Sequence, residues 1–265
     1  MASSLVVASL LLLFVVANSQ GPWLHCNQDS TSNNQVSTNI DNVLAAITSA
    51  AANANGFSAH ASGAGSDVVY GLAQCRGDLD LTEGCYPCIQ EATQEIRLDC
   101  PGASDAQIWY DHCTIRYSLA NFFGTFNASQ KSVTYNREDY PDPEALSSQL
   151  GILFDELTKK AADPASRGFA KGQVDLNDHT LYGTAQCTTD LRPEVCAQCL
   201  DAAVKQFDYT CKPKKGCRVF LSSCSVRYEL YEITSRHEKF GRAKQINKLR
   251  SRKSMLISMF KTGAM

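Results

Sequence analysis

The chain has 265 residues, 44% hydrophobic and 20% charged, with a formal net charge of −2 and twelve cysteines. That composition excludes a collagen-like, low-complexity or disordered polymer, and the near-neutral total gives no reason to expect nucleic acid as a partner. The balance is uneven: from Arg236 onward there are nine Lys or Arg against one Glu, so this stretch is +8 and everything before it −10.

The first segment, residues 1–19, is uncharged and holds the apolar run Leu5 to Val16, broken by small residues at Ala17-Asn18-Ser19. It reads as a secretory signal peptide. The run is too short for a membrane span of about 20 residues, and no second candidate follows, so the mature chain is expected to be soluble and to start near Gln20. The 246 residues from Gln20 to the end suggest two compact units. An even cysteine count in a secreted chain reads as a disulfide framework, because the secretory lumen oxidises paired thiols.

An internal repeat sets the architecture. Val69-Tyr70-Gly71-Leu72-Ala73-Gln74-Cys75 recurs as Leu181-Tyr182-Gly183-Thr184-Ala185-Gln186-Cys187, an offset of 112. The offset then becomes 111 and holds for Cys85/Cys196, Cys88/Cys199, Cys100/Cys211 and Cys113/Cys224. Two long copies are sibling globular domains rather than a solenoid.

Taken in order, Ile40, Leu44, Ile47 and Ala51 behind Thr38 and Asp41 predict a helix near 38–54, with Thr38 as N-cap. A Tyr-Gly strand leads to Cys75. Cys88, Ala92 and Ile96 share one face of a second helix. The run Gln107 to Tyr117 then alternates, with Ile108 and Tyr110 on one face and Trp109, Cys113, Ile115 and Tyr117 on the other. The second copy answers with Leu146, Leu150, Leu153, Phe154 and Leu157 behind Pro143, a Tyr-Gly strand, a helix carrying Cys199, Ala203 and Phe207, and the run Arg218 to Tyr228. The fold class is α+β: two tandem small disulfide-rich domains, each an antiparallel sheet with two helices. The expected boundaries are 1–19 for the signal, 20–130 and 131–235 for the domains, and 236–265 for a basic tail expected to be disordered, with binding to acidic surfaces or anionic lipid as the lesser reading.

Each copy has one private cysteine: Cys26, whose counterpart at the 111 offset is Arg137, and Cys217, whose counterpart is Ala106. If three bridges form within each copy, the two private cysteines serve one equivalent position. Cys85-Tyr86-Pro87-Cys88 fits a redox dithiol, but Cys196-Ala197-Gln198-Cys199 lacks the proline and both lie among other cysteines, so structural bridges are the reading. A four-thiolate zinc site would need both pairs in one finger-sized unit; they fall one to a copy, and no metal or other cofactor is expected. With no Gly-x-Ser-x-Gly elbow and five histidines that do not recur between copies, no catalytic residue is assigned.

The spacing Cys187-x8-Cys196-x2-Cys199, one residue longer in the first copy, resembles the plant cysteine-rich repeat secretory proteins. So do Tyr-Gly-Leu-Ala-Gln-Cys-Arg-Gly-Asp-Leu from Tyr70 and Ile-Trp-Tyr-Asp-His-Cys from Ile108. Their unit, the ginkbilobin-homologous domain, also builds the ectodomains of cysteine-rich receptor-like kinases. The resemblance implies bridges Cys26–Cys100, Cys75–Cys85, Cys88–Cys113, Cys187–Cys196 and Cys199–Cys224, with Cys211–Cys217 completing the set. It implies a protein of the extracellular space, the apoplast, that is lectin-like for mannose-type glycans with a defence or antifungal role; the alternative is a signalling module that binds an extracellular protein. The implied sugar contacts are an Asn after the first cysteine, an Arg six before the last and a Glu five after it. The first copy supplies Asn27 with Gln107 and Ser118; the second supplies Arg218 and Glu229 with Glu138 at the Asn position. Arg218 and Glu229 also fit a plain cross-strand ion pair on a solvated face. Asn127-Ala128-Ser129 is a sequon and is expected to carry a glycan.

Overall fold

A computed structural model describes residues 22–27, 33–51 and 54–233. The signal segment and the basic tail expected from the sequence lie outside those residues. The first unit comprises β1 (Trp23–Cys26), α1 (Asn34–Ala51), β2 (Phe57–Ser62), β3 (Val69–Cys75), α2 (Tyr86–Asp99), β4 (Asp105–Trp109) and β5 (Cys113–Ser118). The second comprises β6 (Lys131–Tyr135), α3 (Pro143–Ala162), β7 (Phe169–Leu176), β8 (His179–Cys187), α4 (Pro193–Gln206), β9 (Cys217–Leu221) and β10 (Cys224–Glu229). Each sheet has five antiparallel strands, ordered β1-β4-β5-β3-β2 and β6-β9-β10-β8-β7. The two units are copies of one α+β topology.

Helix α1 starts a turn before the expected Thr38, because Asn33 caps it: its Oδ1 accepts from the backbone of Gln35 at 2.8 Å. The early turn also brings Val36 into the core. The repeated Tyr-Gly has a packing reason. A Cβ on Gly71 would lie 2.9 Å from the Val43 side chain, and one on Gly183 would lie 2.8 Å from Leu153, so glycine lets the first helix of each unit press against the sheet.

The aromatic run does not alternate through as expected. β4 and β5 are a hairpin, with Trp109 opposite Thr114, and residues 110–112 form its turn. The turn resets the period. Ile108 therefore joins Ile115 and Tyr117 in the core, while Trp109 faces the other domain.

Six disulfides staple the units: Cys26–Cys100, Cys75–Cys85 and Cys88–Cys113 in the first, Cys187–Cys196, Cys199–Cys224 and Cys211–Cys217 in the second. Both members of each Cys-x-x-Cys go to different partners, so neither is a dithiol couple. The register also explains the private cysteines. Cys26 on β1 lies opposite Ala106 on β4, and Tyr135 on β6 lies opposite Cys217 on β9. The two cysteines thus occupy one cross-strand row, one strand apart, and reach the same partner position from adjacent places. The counterpart of Cys26 is Tyr135, an offset of 109, and not Arg137.

Candidate functional site

The polar face of each sheet, opposite its helices, meets the other domain, and the contacts obey an approximate two-fold. Trp109 stacks on its counterpart Phe220 with ring centroids 6.2 Å apart, and Trp23 reaches the same ring at 5.0 Å. Around this pair the repeat's own glutamines cross over. Gln74 Oε1 accepts from the Thr189 backbone at 3.0 Å, and Gln186 Oε1 accepts from the Gly77 backbone, the equivalent position, at 3.2 Å. Gln186 Nε2 also donates to the Cys75 carbonyl at 2.7 Å. Next, Gln107 Nε2 donates to the Ser222 carbonyl at 2.8 Å, and its counterpart Arg218 forms an ion pair with Asp111, the counterpart of Ser222. The connector is stitched across the same seam: Gly124 N–H donates to Asp190, Ser223 Oγ to the Thr125 carbonyl, and Asn127 N–H to Ser222 Oγ. Gln74 and Gln186 stood in the sequence as a repeated dipeptide with cysteine, but repetition alone carries no sign that they point at each other.

A cavity of about 60 Å³ lies in the seam, lined among others by Gln74, Trp109, Gln186 and Phe220. Ligand pockets are several-fold larger, at roughly 300–1,000 Å³, so the seam is an interface and not a pocket.

The three residues expected to hold a sugar are not brought together. Asn27 caps the start of β4: its Oδ1 accepts from the Ser104 and Asp105 backbones, both at 3.0 Å, and its Nδ2 donates to Ser104 Oγ. Arg218 is 7% exposed, held by Asp111 of the first domain and by the rings of Trp23 and Phe220. Glu229 pairs with Arg227, at 3.0 Å. Arg218 lies opposite Arg227, and each arginine takes its own acid, as like charges across a strand pair require.

The Asn position itself moves. Asn27 N–H donates to the Asp105 carbonyl, and Asn136 N–H to the Gly216 carbonyl, which is the same place in the second sheet. Asn136, exposed, is therefore the counterpart of Asn27, and Glu138, two residues on, pairs with Lys215 instead. The strand offset of 109, invisible to an alignment anchored on cysteines, hid it. Beside it a carboxylate has changed strands. In the first domain Arg116 pairs with Asp105 on β4 at 3.2 Å. In the second, the matching position is Gly216, and the Glu229 carboxylate from β10 fills the space its side chain would take. Gly216, Glu229, Arg227 and Tyr231 make one polar cluster, with Arg227 Nη2 donating to Tyr231 at 3.0 Å, and Asn136 adjoins it through its backbone while its Oδ1 accepts from the Glu138 backbone at 3.0 Å.

Asn127 is exposed, and its Oδ1 accepts from the Ser129 backbone at 2.9 Å, an Asx turn at the connector. Elsewhere, α2 carries Glu91 and Glu95 on one flank. Burial, then the neighbouring Glu95 charge, raises the Glu91 carboxyl above its usual value; the Tyr110 hydroxyl, which donates to Glu95, is pushed up by the same burial. Among the described residues no helix is long and apolar enough to cross a membrane, and no three His, Cys, Asp or Glu are grouped to hold a metal.

Comparison with known proteins places these features. The profile of the salt stress response/antifungal family matches residues 25–120 and 132–231. Cysteine-rich repeat secretory protein 55 of Arabidopsis thaliana is 42% identical over 238 residues, covering 86% of this chain and 90% of the relative. An antimicrobial ginkbilobin-2-like protein of Castanea crenata is 36% identical over 239 residues, 87% of this chain and 98% of the relative. In fold, the tandem DUF26 ectodomain of the Arabidopsis cysteine-rich receptor-like protein PDLP8 covers 79% of this chain and 98% of its own, with a TM-score of 0.69 at 24% identity.

Proposed function

The chain belongs to the salt stress response/antifungal family, and from that premise we propose that it works in the apoplast as a non-enzymatic binding protein whose recognition unit is the fused pair of domains. The observation that carries this reading is the burial of Arg218. The arginine a mannose site would need is held by Asp111 across the seam, so one domain alone does not present a donor fork to a sugar. Contact area for a glycan surface or an extracellular protein is then offered by the outside of a single two-domain body, as in the receptor ectodomains it resembles in fold. Among the described residues no constellation of nucleophile, base and oriented partner supports catalysis. A defence or antifungal role fits the character of its named relatives.

A second reading, a mannose-type lectin, is favoured by one observation: in the second domain Asn136 and Glu229 both flank Gly216, with Arg227 beside them in place of Arg218. A planar donor next to a carboxylate suits vicinal hydroxyls. Calorimetry with mannose and short mannans decides between the two. The two-domain reading expects no heat with monosaccharide and binding only to extended glycans or a protein on arrays. The lectin reading expects heat that is lost in Asn136→Ala and Glu229→Ala but kept in Asn27→Ala. Absence of binding to every glycan and extracellular protein tested, together with a measurable turnover, would sink both.

A further inference from the structure

We propose that the corner of the second domain where β6 meets the end of α4 binds an acidic polysaccharide, a polymer of uronic-acid rings, through exposed tyrosines set among lysines. The proposal rests on the extracellular binding reading above and names a ligand class for it. Strand alternation puts Lys131, Val133 and Tyr135 on the helix side of β6, since Val133 lies opposite core Val219 and Tyr135 opposite core Cys217. The turn Phe207–Cys211 continues α4 past that flank, with Phe207 buried beneath it and Tyr209 82% exposed on top. Lys131 Nζ donates to Gln206 Oε1 at 2.9 Å and ties strand to helix end. Tyr135 is 45% exposed, with Lys214 Nζ 5.7 Å from its ring centre. Lys214 and Lys215 are shared with Asp139 and Glu138, whereas Lys205 and Lys212 are exposed and make no ion pair among the described residues.

The internal repeat shows that the fold does not demand this surface. Residues 205–215 hold four lysines and one aspartate; the matching 94–104 hold Glu95, Asp99 and one arginine. Tyr209 replaces Leu98, Lys212 replaces Pro101 and Lys214 replaces Ala103, while the buried positions keep their character, Phe207 for Ile96 and Cys211 for Cys100. Leu98 is also exposed, at 72%, but stands alone, whereas Tyr209 and Tyr135 lie on elements packed side by side, and an exposed apolar patch marks a contact surface where a single residue does not. A pyranose packs its C–H face on a tyrosine ring, and lysine ammoniums suit carboxylates repeated along a chain. From Lys131 to Tyr135 the strand runs roughly 13 Å, which suits an oligomer rather than one ring. Single-stranded nucleic acid also wants stacking plus positive charge, but the relatives of this chain are secretory proteins, which sets a matrix polysaccharide first.

The test uses the full secreted chain with oligogalacturonate as probe, and neutral mannan, single-stranded DNA and phosphatidylserine vesicles as comparators. Expected are binding of oligogalacturonate that weakens steeply with added salt, a loss of about tenfold in Tyr209→Ala, loss of detectable binding in the Lys205→Glu/Lys212→Glu double variant, and no change in Leu98→Ala. All four positions are exposed, and unchanged melting temperatures establish that the variants fold. No binding of oligogalacturonate overturns the proposal. So does binding that ignores both variants, which would place the contact on the basic residues beyond 236, and so does equal binding of DNA or vesicles with the same sensitivity to the variants. If oligogalacturonate fails while an extended neutral glycan or a protein still binds, the extracellular binding reading stands and only this ligand class falls.

Discussion

The two domains solve the same problems from neighbouring strands. In the first, the third bridge runs from β1 to the end of α2, a sequence separation of 74 from Cys26 to Cys100; in the second it closes a separation of 6, from Cys211 to Cys217. In the first, the acid for the central arginine is Asp105 on β4; in the second it is Glu229 on β10, over Gly216. In an antiparallel sheet, side chains in one cross-strand row lie about 5 Å apart, so an interaction survives when its donor moves one strand sideways. Matching residues by position in sequence therefore misplaces such pairs, while matching them by row finds them.

The largest effect should come from the bridges. Loop-closure entropy assigns about 4–5 kcal/mol to Cys26–Cys100 and about 2 kcal/mol to Cys211–Cys217. Replacing each pair by serine and comparing denaturant midpoints should destabilise the first variant more, by about 2 kcal/mol. Equal losses would mean the bridges act through local packing and not through the unfolded chain.

The carboxylate exchange sharpens the comparison next. Gly216→Asp places two acids on Arg227 and should destabilise by about 2 kcal/mol; adding Glu229→Ser recreates the arrangement of the first domain and should recover most of it. A double-mutant cycle in thermal unfolding reads the coupling directly. Additive losses would show that the two domains do not use equivalent space.

The glutamine clasp tests the seam. Gln74→Ala removes the acceptor of two bonds from Thr189, at 3.0 and 2.8 Å, and Gln186→Ala removes one from Gly77 and one to Cys75. Each should cost about 1–2 kcal/mol. Calorimetric unfolding of the double variant should split from one transition toward two, because the seam couples the domains.

Smallest is a pH effect at Glu91 of the first domain. Burial raises Glu91, so its neutral form is favoured on folding. That contribution is present below the ordinary carboxyl value near 4.5 and is lost as pH rises through the folded value. Glu91→Gln should add roughly a few tenths of a kcal/mol at neutral pH and nothing below about pH 4. In the second domain the sign reverses: Lys215 holds Glu138 below its usual range, so that pair weakens on acidification.

Much of this was legible in the residues. Five cysteines recurring at offsets of 112 and then 111 announced two copies, and the apolar spacings around Leu44 and Leu153 announced the helices packed on each sheet. These signals are local, because a helix face or a staple needs only its own period or partner type. Three matters depended on tertiary contact. The turn at 110–112 reversed the face of Trp109, the strand offset replaced Glu138 by Asn136 as the counterpart of Asn27, and the seam took Arg218 for Asp111. Composition and spacing determined what each domain is made of. Which polar groups remain available to bind was decided only when two sheets met face to face, since a side chain's partner across an interface leaves no periodicity in the chain that carries it.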